Sequence, residues 1–140
     1  MANMFAKYVT PEQGQNTAPT SGGNDYGQIM ENAGANHGIP AGMMGKVMGK
    51  ESGGDPTATS HKGAYGLGQV LPSTWRDMGY TDEQRQDPAV QADASARYLR
   101  QMYDRYGDWG IALQAYHDGP GNTDKMLKGE YTPGPEGQQY

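Results

Sequence analysis

Residues 51–75 read ESGGDPTATSHKGAYGLGQVLPSTW, a carboxylate at the end of a helical pattern followed by a long loop with five glycines. Glu51 shares one helical face with Met44, Val47 and Met48, at the steps of three and four residues that are typical of a buried face. It also lies in the last turn of that helix, at the negative end of the helix dipole. Burial and the dipole both disfavour an ionised carboxyl group, and a carboxyl group that keeps its proton can act as a general acid. The alternative is that Glu51 turns outward at a frayed helix end.

The pattern on both sides of this stretch is helical. Apolar residues at steps of three and four predict five helices, which we expect over residues 25–37, 40–52, 72–79, 87–106 and 109–116. The composition of residues 123–128 is compatible with a brief sixth helix. Since no segment alternates convincingly between apolar and polar residues, we expect a mainly α fold, with room for a minor β-hairpin in the loop 53–71.

The composition excludes several classes of protein. The chain has 140 residues, of which 34% are hydrophobic and 22 are Gly, and it has no Cys. Disulfides, thiolate metal sites and cysteine nucleophiles are therefore absent. A net charge of -5 argues against a protein that coats nucleic acid. The chain contains no apolar run long enough for a membrane-spanning helix, and its first residues lack the pattern of a secretion signal.

The apolar residues are distributed unevenly, which divides the chain into three parts. Ala18 is the only apolar residue between Thr10 and Asp25, so we expect residues 1–24 to form a flexible or partner-bound arm. Residues 25–128 carry the helical pattern and are expected to form a folded domain. Residues 129–140 are rich in Gly and Pro and are expected to be irregular.

Three blocks of the sequence resemble one family in their order and spacing. They are Glu51-Ser52, residues 66–74 (GLGQVLPST) and residues 115–119 (AYHDG). They are similar to the Glu-Ser, Gly-Leu-Met-Gln-(Ile/Val)-x-Pro-x-Thr and Ala-Tyr-Asn-x-Gly blocks of the soluble lytic transglycosylase (SLT) domain family, relatives of goose-type lysozyme. The resemblance covers about residues 26–140. It implies a small, lysozyme-like helical domain that cleaves the glycan strands of peptidoglycan.

The resemblance also implies roles for individual residues. Glu51 matches the single catalytic acid/base of the family, which cleaves the bond between N-acetylmuramic acid and N-acetylglucosamine and closes a 1,6-anhydro ring without water. Ser60 and Gln69 match polar residues that line the sugar cleft. Tyr116 matches a tyrosine close to the acid, and Tyr140 ends a fainter fourth block whose tyrosine also faces the acid. The resemblance thus implies that residues 25–128 form the catalytic domain and that residues 129–140 could complete the cleft.

Two positions depart from the family blocks. The usual Met is Gly68, so one apolar wall of the sugar site is missing or is supplied by other residues. The usual Asn is His117, which could still hydrogen-bond a sugar. The next residue, Asp118, precedes a Gly and is typical of a turn, although a second carboxylate there could position a water and favour hydrolysis. Tyr65 is a further candidate for contact with a sugar ring.

The resemblance predicts a lytic transglycosylase without a metal or other cofactor, and the three histidines share no metal-ligand spacing. The alternatives are a lysozyme-like muramidase that hydrolyses the same bond, and a non-catalytic virion structural protein that retains the fold. The expected partners are peptidoglycan glycan strands and, through residues 1–24, other virion proteins. Since we find no secretion signal, we expect a phage tail or ejected internal protein that acts in the periplasm or cell wall, with a bacterial secretion machine as the alternative.

Overall fold

The structure is a computed structural model, and it describes residues 25–130. The predicted arm 1–24, most of the predicted C-terminal segment and Tyr140 lie outside the described residues. Within residues 25–130 the chain forms six α-helices and one 3-10 helix, and no strand. They are α1 (Tyr26–Asn36), α2 (Met43–Glu51), α3 (Pro72–Asp77), the 3-10 helix (Glu83–Gln86), α4 (Pro88–Tyr106), α5 (Trp109–Asp118) and α6 (Pro120–Leu127). The prediction of a mainly α fold is confirmed.

The helix boundaries follow local capping signals. The sequence predicts Asn24 or Asp25 as the cap of α1, and in the structure the Asp25 carboxylate accepts a hydrogen bond from the Gln28 N–H at 3.0 Å. Asp108 caps α5 in the same way, 2.9 Å from the N–H of Ile111. The predicted start of α2 at residue 40 is wrong. The N–H of Met43 donates to the carbonyl oxygen of Pro40 at 3.2 Å and closes a turn through Gly42, which has a φ of 87°, and the helix begins at Met43.

The described chain divides into two compact units, with the boundary between Ala96 and Arg97. Val70, Trp75 and Ala94 form a buried cluster in the first unit. The second unit buries apolar residues of α4 and α5, namely Leu99, Met102, Ala112, Leu113, Ala115 and Tyr116. None of the helices within residues 25–130 is long and apolar enough to cross a lipid bilayer.

In the first unit, α1 holds the N-terminal end of α2. The two Glu31 carboxylate oxygens accept hydrogen bonds from the N–H groups of Gly42 and Gly45, each at 2.9 Å. These N–H groups belong to the N-cap residue and the first turn of α2, where no partners for them exist inside the helix. The two helices also approach closely at Gly34, where a Cβ atom would lie 2.6 Å from Cγ of Met44. The end of α2 opposite Glu51 is thereby fixed to α1.

Replacement of Glu31 by Ala is expected to lower the free energy of unfolding by about 1–2 kcal/mol, the range found when a helix loses its N-cap. Urea denaturation followed by circular dichroism measures this loss. Glu83→Ala is the matched control, because Glu83 is an exposed glutamate in the 3-10 helix. Equal stability of the two variants would contradict a capping role for Glu31.

In the second unit, Asp124 connects α6 to the end of α4. Its Oδ1 lies 2.7 Å from the hydroxyl oxygen of Tyr106, and its Oδ2 pairs with the guanidinium of Arg105. The hydrogen bond from Tyr106, followed by the interaction with Arg105, lowers the pKa of Asp124 below its ordinary value of 3.8. The ionised carboxylate is therefore favoured in the folded state.

The stability that Asp124 contributes should depend on pH. Because its pKa is lower when folded than when unfolded, the contribution is present above about pH 4 and is lost as the pH falls through the folded-state pKa. Urea denaturation over this acidic range is expected to show a smaller loss of stability with falling pH in Asp124→Asn and Tyr106→Phe than in the wild type. Identical pH profiles in all three proteins would rule out this contribution.

Candidate active site

Glu51 is the last residue of α2 and is half-buried. The apolar face on which the sequence places it is buried at Met44 and Val47 and half-buried at Met48. The residue is therefore neither enclosed in the core nor turned fully into solvent. A proton donor in such a position keeps access to a ligand.

Ser52 joins the end of α2 to the second sequence block. Its hydroxyl donates a hydrogen bond to the carbonyl oxygen of Leu67 at 2.8 Å and accepts one from the N–H of Gly54 at 3.1 Å. The residue next to the candidate acid thus contacts the backbone of the turn 66–69. The first and second blocks, which are separate in the sequence, meet at this hydrogen bond.

The loop between them is held mainly by its own backbone. The N–H of Ser60 donates to the carbonyl oxygen of Ala64 at 2.9 Å, and the Ser60 hydroxyl oxygen accepts from the N–H of Ala64 at 3.0 Å and of Lys62 at 3.2 Å. Isolated antiparallel bridges pair Tyr65 with Thr59 and with Val70. These two bridges occupy the place of the predicted hairpin, because the tight turns leave too few consecutive pairs for strands.

Gln69 has an unusual backbone conformation. Its φ of 54° is the one positive value at a non-glycine residue within 25–130. Its side-chain nitrogen donates to the carbonyl oxygens of Ala58, at 2.8 Å, and Gly66, at 2.9 Å. The left-handed region is unfavourable for a residue with a Cβ atom, and such residues concentrate at functional sites. Because its nitrogen binds two carbonyl oxygens of the loop, the Gln69 side chain, which is predicted to line the cleft, also stabilises the loop.

Gln91 of α4 is the residue that sequence reasoning missed. Its side chain is only 2% exposed. Its Oε1 accepts from the N–H of Leu67 at 2.9 Å, and its Nε2 donates to the carbonyl oxygens of Arg85, at 2.7 Å, and Pro56, at 3.0 Å. The sequence shows a long amide side chain among small residues of α4 that the structure buries, Ala92, Ser95 and Ala96, but this pattern does not indicate the segments that Gln91 binds.

The other predicted site residues are distributed over both units. Tyr65 belongs to the first unit, and the guanidinium carbon of Arg85 lies 5.0 Å from the centre of its ring. Tyr116 is buried in the second unit, with its ring 5.3 Å from that of Tyr98. Burial raises the pKa of Tyr98 above its ordinary value of 10.0, which keeps the hydroxyl of this neighbour neutral. Tyr65 thus lies in the loop between the first and second blocks, and Tyr116 lies on α5, which carries the third block.

The third block ends α5. His117 is half-buried, and the Asp118 side chain is 9% exposed and accepts a hydrogen bond from the Nε2 of Gln114. The His117 Nε2 lies 4.0 Å from Oδ1 of Asp118. Gly119, with a φ of 88°, follows as the C-cap, so Asp118 ends the helix. No cluster of three His, Cys, Asp or Glu side chains suited to a metal ion occurs in the part of the chain that the structure describes.

Comparison with known proteins gives consistent matches. The family model described as the transglycosylase SLT domain matches residues 28–138. A transglycosylase of Enterobacteria phage PRD1 is 34% identical over 114 residues, which cover 81% of this chain and 42% of that protein. The membrane-bound lytic murein transglycosylase D of Escherichia coli (strain K12) is 35% identical over 85 residues, which cover 56% of this chain and 18% of that protein.

A solved structure has a similar fold. It is the X-ray structure of an inactive Glu-to-Gln mutant of the lytic transglycosylase Slt from Pseudomonas aeruginosa. The TM-score is 0.69 at 27% sequence identity, and the match covers 80% of this chain and 21% of the other. This chain spans less than half the length of each of these relatives.

Proposed function

Since the chain belongs to the transglycosylase SLT domain family, we propose that it is a peptidoglycan lytic transglycosylase with Glu51 as its single acid/base. The observation that carries this proposal is the hydrogen bond from the Ser52 hydroxyl to the Leu67 carbonyl oxygen. It fixes the helix end that bears the acid to the turn that bears Gln69. The first two of the three sequence blocks on which the family resemblance rests are thereby part of one local structure.

The proposed reaction needs one carboxyl group. Glu51 donates its proton to the glycosidic oxygen as the bond from C1 of the muramic acid to that oxygen breaks, and the bonding electron pair leaves with the N-acetylglucosamine. The Glu51 carboxylate then accepts the proton of the muramic C6 hydroxyl, whose oxygen bonds to C1. The products are a free N-acetylglucosamine hydroxyl and a 1,6-anhydro ring, and Glu51 is protonated again. No water is consumed, in contrast to a glycosidase with two carboxyl groups.

Polar atoms of the loop 53–71 in the first unit are candidates for sugar contacts. The hydroxyl hydrogen of Ser60 and the Oε1 of Gln69 make no hydrogen bond to any part of residues 25–130. A hydroxyl group and an amide oxygen suit the donors and acceptors of a sugar. We assign further substrate contacts to Tyr65, Tyr116 and His117, and to Tyr140 beyond the described residues.

The named relatives support this proposal. The inactive mutant of the Pseudomonas enzyme carries Gln in place of a Glu, which is consistent with a required carboxyl group. The Escherichia coli relative is named for murein, the polymer that we propose as the substrate. Asp118, the carboxylate that a hydrolase could use, is bonded to Gln114 at the end of α5. We therefore favour ring closure over hydrolysis.

Mass spectrometry of the products tests the reaction. The full chain is incubated with purified peptidoglycan, and the released fragments are expected to carry 1,6-anhydromuramic ends. Fragments that are heavier by one water would show reducing ends and would identify a muramidase instead. Release of no fragments would overturn the proposed activity in favour of a non-catalytic protein that retains the fold.

We also propose that the protein acts on the cell wall as part of a phage particle, with residues 1–24 as the segment that contacts other virion proteins. The similarity to the PRD1 transglycosylase supports this location. Analysis of the composition of purified particles tests it. The protein is expected among the particle components, and its absence from them would overturn the assignment.

A further inference from the structure

The backbone of Leu67 is held from two sides. Its N–H donates to Oε1 of Gln91 at 2.9 Å, and its carbonyl oxygen accepts from the Ser52 hydroxyl at 2.8 Å. The Leu67 side chain is completely buried. Leu67 therefore has one partner, Ser52, at the end of the helix that carries Glu51, and another, Gln91, in α4. Its side chain has no contact with solvent, so both its backbone and its side chain are held in place.

The Gln91 amide connects three segments of the first unit. Besides Leu67, it binds the carbonyl oxygens of Pro56 near the start of the loop and Arg85 in the 3-10 helix. A buried polar group that loses its hydrogen-bond partner destabilises the folded state, so we expect all three hydrogen bonds to be present together. The position of Leu67 relative to α4 is thus determined by one side chain.

Gly66 shows how closely this amide is fitted. A Cβ atom on Gly66 would lie 2.3 Å from Cδ of Gln91, and Gly66 has a φ of 82°. Two residues after Leu67 the chain reaches Gln69, whose φ of 54° requires support from its surroundings. The backbone of the turn 66–69 therefore packs directly against the Gln91 side chain at Gly66.

We propose that Gln91 is a positioning residue for the reaction. Through the backbone of Leu67, which it shares with Ser52, it fixes the turn 66–69 against the C-terminal end of α2. The distance between Glu51 and the polar groups of this turn then depends on a buried side chain that binds the turn through the N–H of Leu67. This inference rests on the proposed function and adds a specific residue to it.

The test compares two variants of the full chain at a temperature at which both are folded. Gln91→Met keeps the length of the side chain and removes its hydrogen bonds. It is expected to lower kcat on peptidoglycan by about 10- to 100-fold, as a displacement of about 1 Å in an active site does, with KM within about three-fold. Leu99→Ala is the control, because it empties a fully buried position of the second unit, and it is expected to keep the wild-type kcat.

A double-mutant cycle separates positioning from general destabilisation. Ser52→Ala is also expected to lower kcat, and the two losses should combine to less than their product because both variants release the same residue, Leu67. If Gln91→Met does not fold, Ser52→Ala is measured alone, and faster hydrogen exchange at the Leu67 amide is expected together with its lower kcat.

Each outcome of these measurements decides the proposal. Wild-type kcat in folded Gln91→Met, an equal loss in Leu99→Ala, or independent effects of the two substitutions would overturn it. In the case that Gln91→Met is unfolded, wild-type kcat in Ser52→Ala would also overturn it. A wild-type chain that is inactive on peptidoglycan would overturn the proposed function first, so the two failures are distinguishable.

Discussion

Replacement of Glu51 by Gln is expected to reduce the release of fragments from peptidoglycan by about 1000-fold or more, since general acid–base catalysis contributes up to about 10⁴-fold. A carboxamide has nearly the same shape as a carboxyl group but cannot donate the proton that the glycosidic oxygen needs. Because the substitution leaves the size and shape of the side chain nearly unchanged, we expect the variant to be folded.

The measurement is chromatography of soluble fragments, with sedimentation of the protein with insoluble peptidoglycan as a separate test of binding. Glu83→Gln makes the same chemical change at an exposed position and is expected to keep full activity. Glu51→Gln should still bind peptidoglycan, because the sugar contacts that we propose lie on other residues. Full activity in Glu51→Gln would show that another group is the acid.

Replacement of Gly66 by Ala is expected to lower the free energy of unfolding by about 2–5 kcal/mol. The left-handed conformation costs a residue with a Cβ atom about 1–2 kcal/mol, and overpacking costs about 1–3 kcal/mol more. The atom that the new methyl group meets is Cδ of Gln91, whose amide cannot move away without breaking hydrogen bonds to three segments. Urea denaturation measures the loss.

Gly53→Ala is the matched control for this prediction. Gly53 has a similar φ of 66°, but nothing lies within 4 Å of the position that its Cβ atom would take. Its loss of stability should therefore be limited to the backbone cost, about 1–2 kcal/mol. If both alanine variants lose the same amount, the contact with Gln91 contributes nothing and the packing argument fails.

The sequence predicted those parts of the fold that depend on neighbouring residues. Asp25 and Asp108 cap helices because their carboxylates reach N–H groups three residues further along the chain, and this can be seen in the sequence. The start of α2 could not be predicted in the same way. Its first turn is satisfied by Glu31, a residue of another helix, and Pro40 alone suggested an earlier start.

The site was predictable to a similar extent. The sequence blocks pointed to Glu51 and Gln69, and the structure connects the segments that carry them through Ser52 and Leu67. Two features of the site depend on contacts between separate segments. The nitrogen of Gln69 binds two carbonyl oxygens of its own loop, and Gln91 reaches the same turn from α4. No periodicity or local motif encodes such contacts.

The turn from Ser60 to Ala64 also has a consequence for engineering. It is closed by backbone groups and by the Ser60 hydroxyl oxygen, while the side chains of His61 and Lys62 are exposed. A combinatorial library at these two positions would therefore vary the charge and bulk beside a proposed sugar contact without altering the scaffold beneath it. Selection from such a library on walls of different bacteria offers a route to variants with a chosen host range.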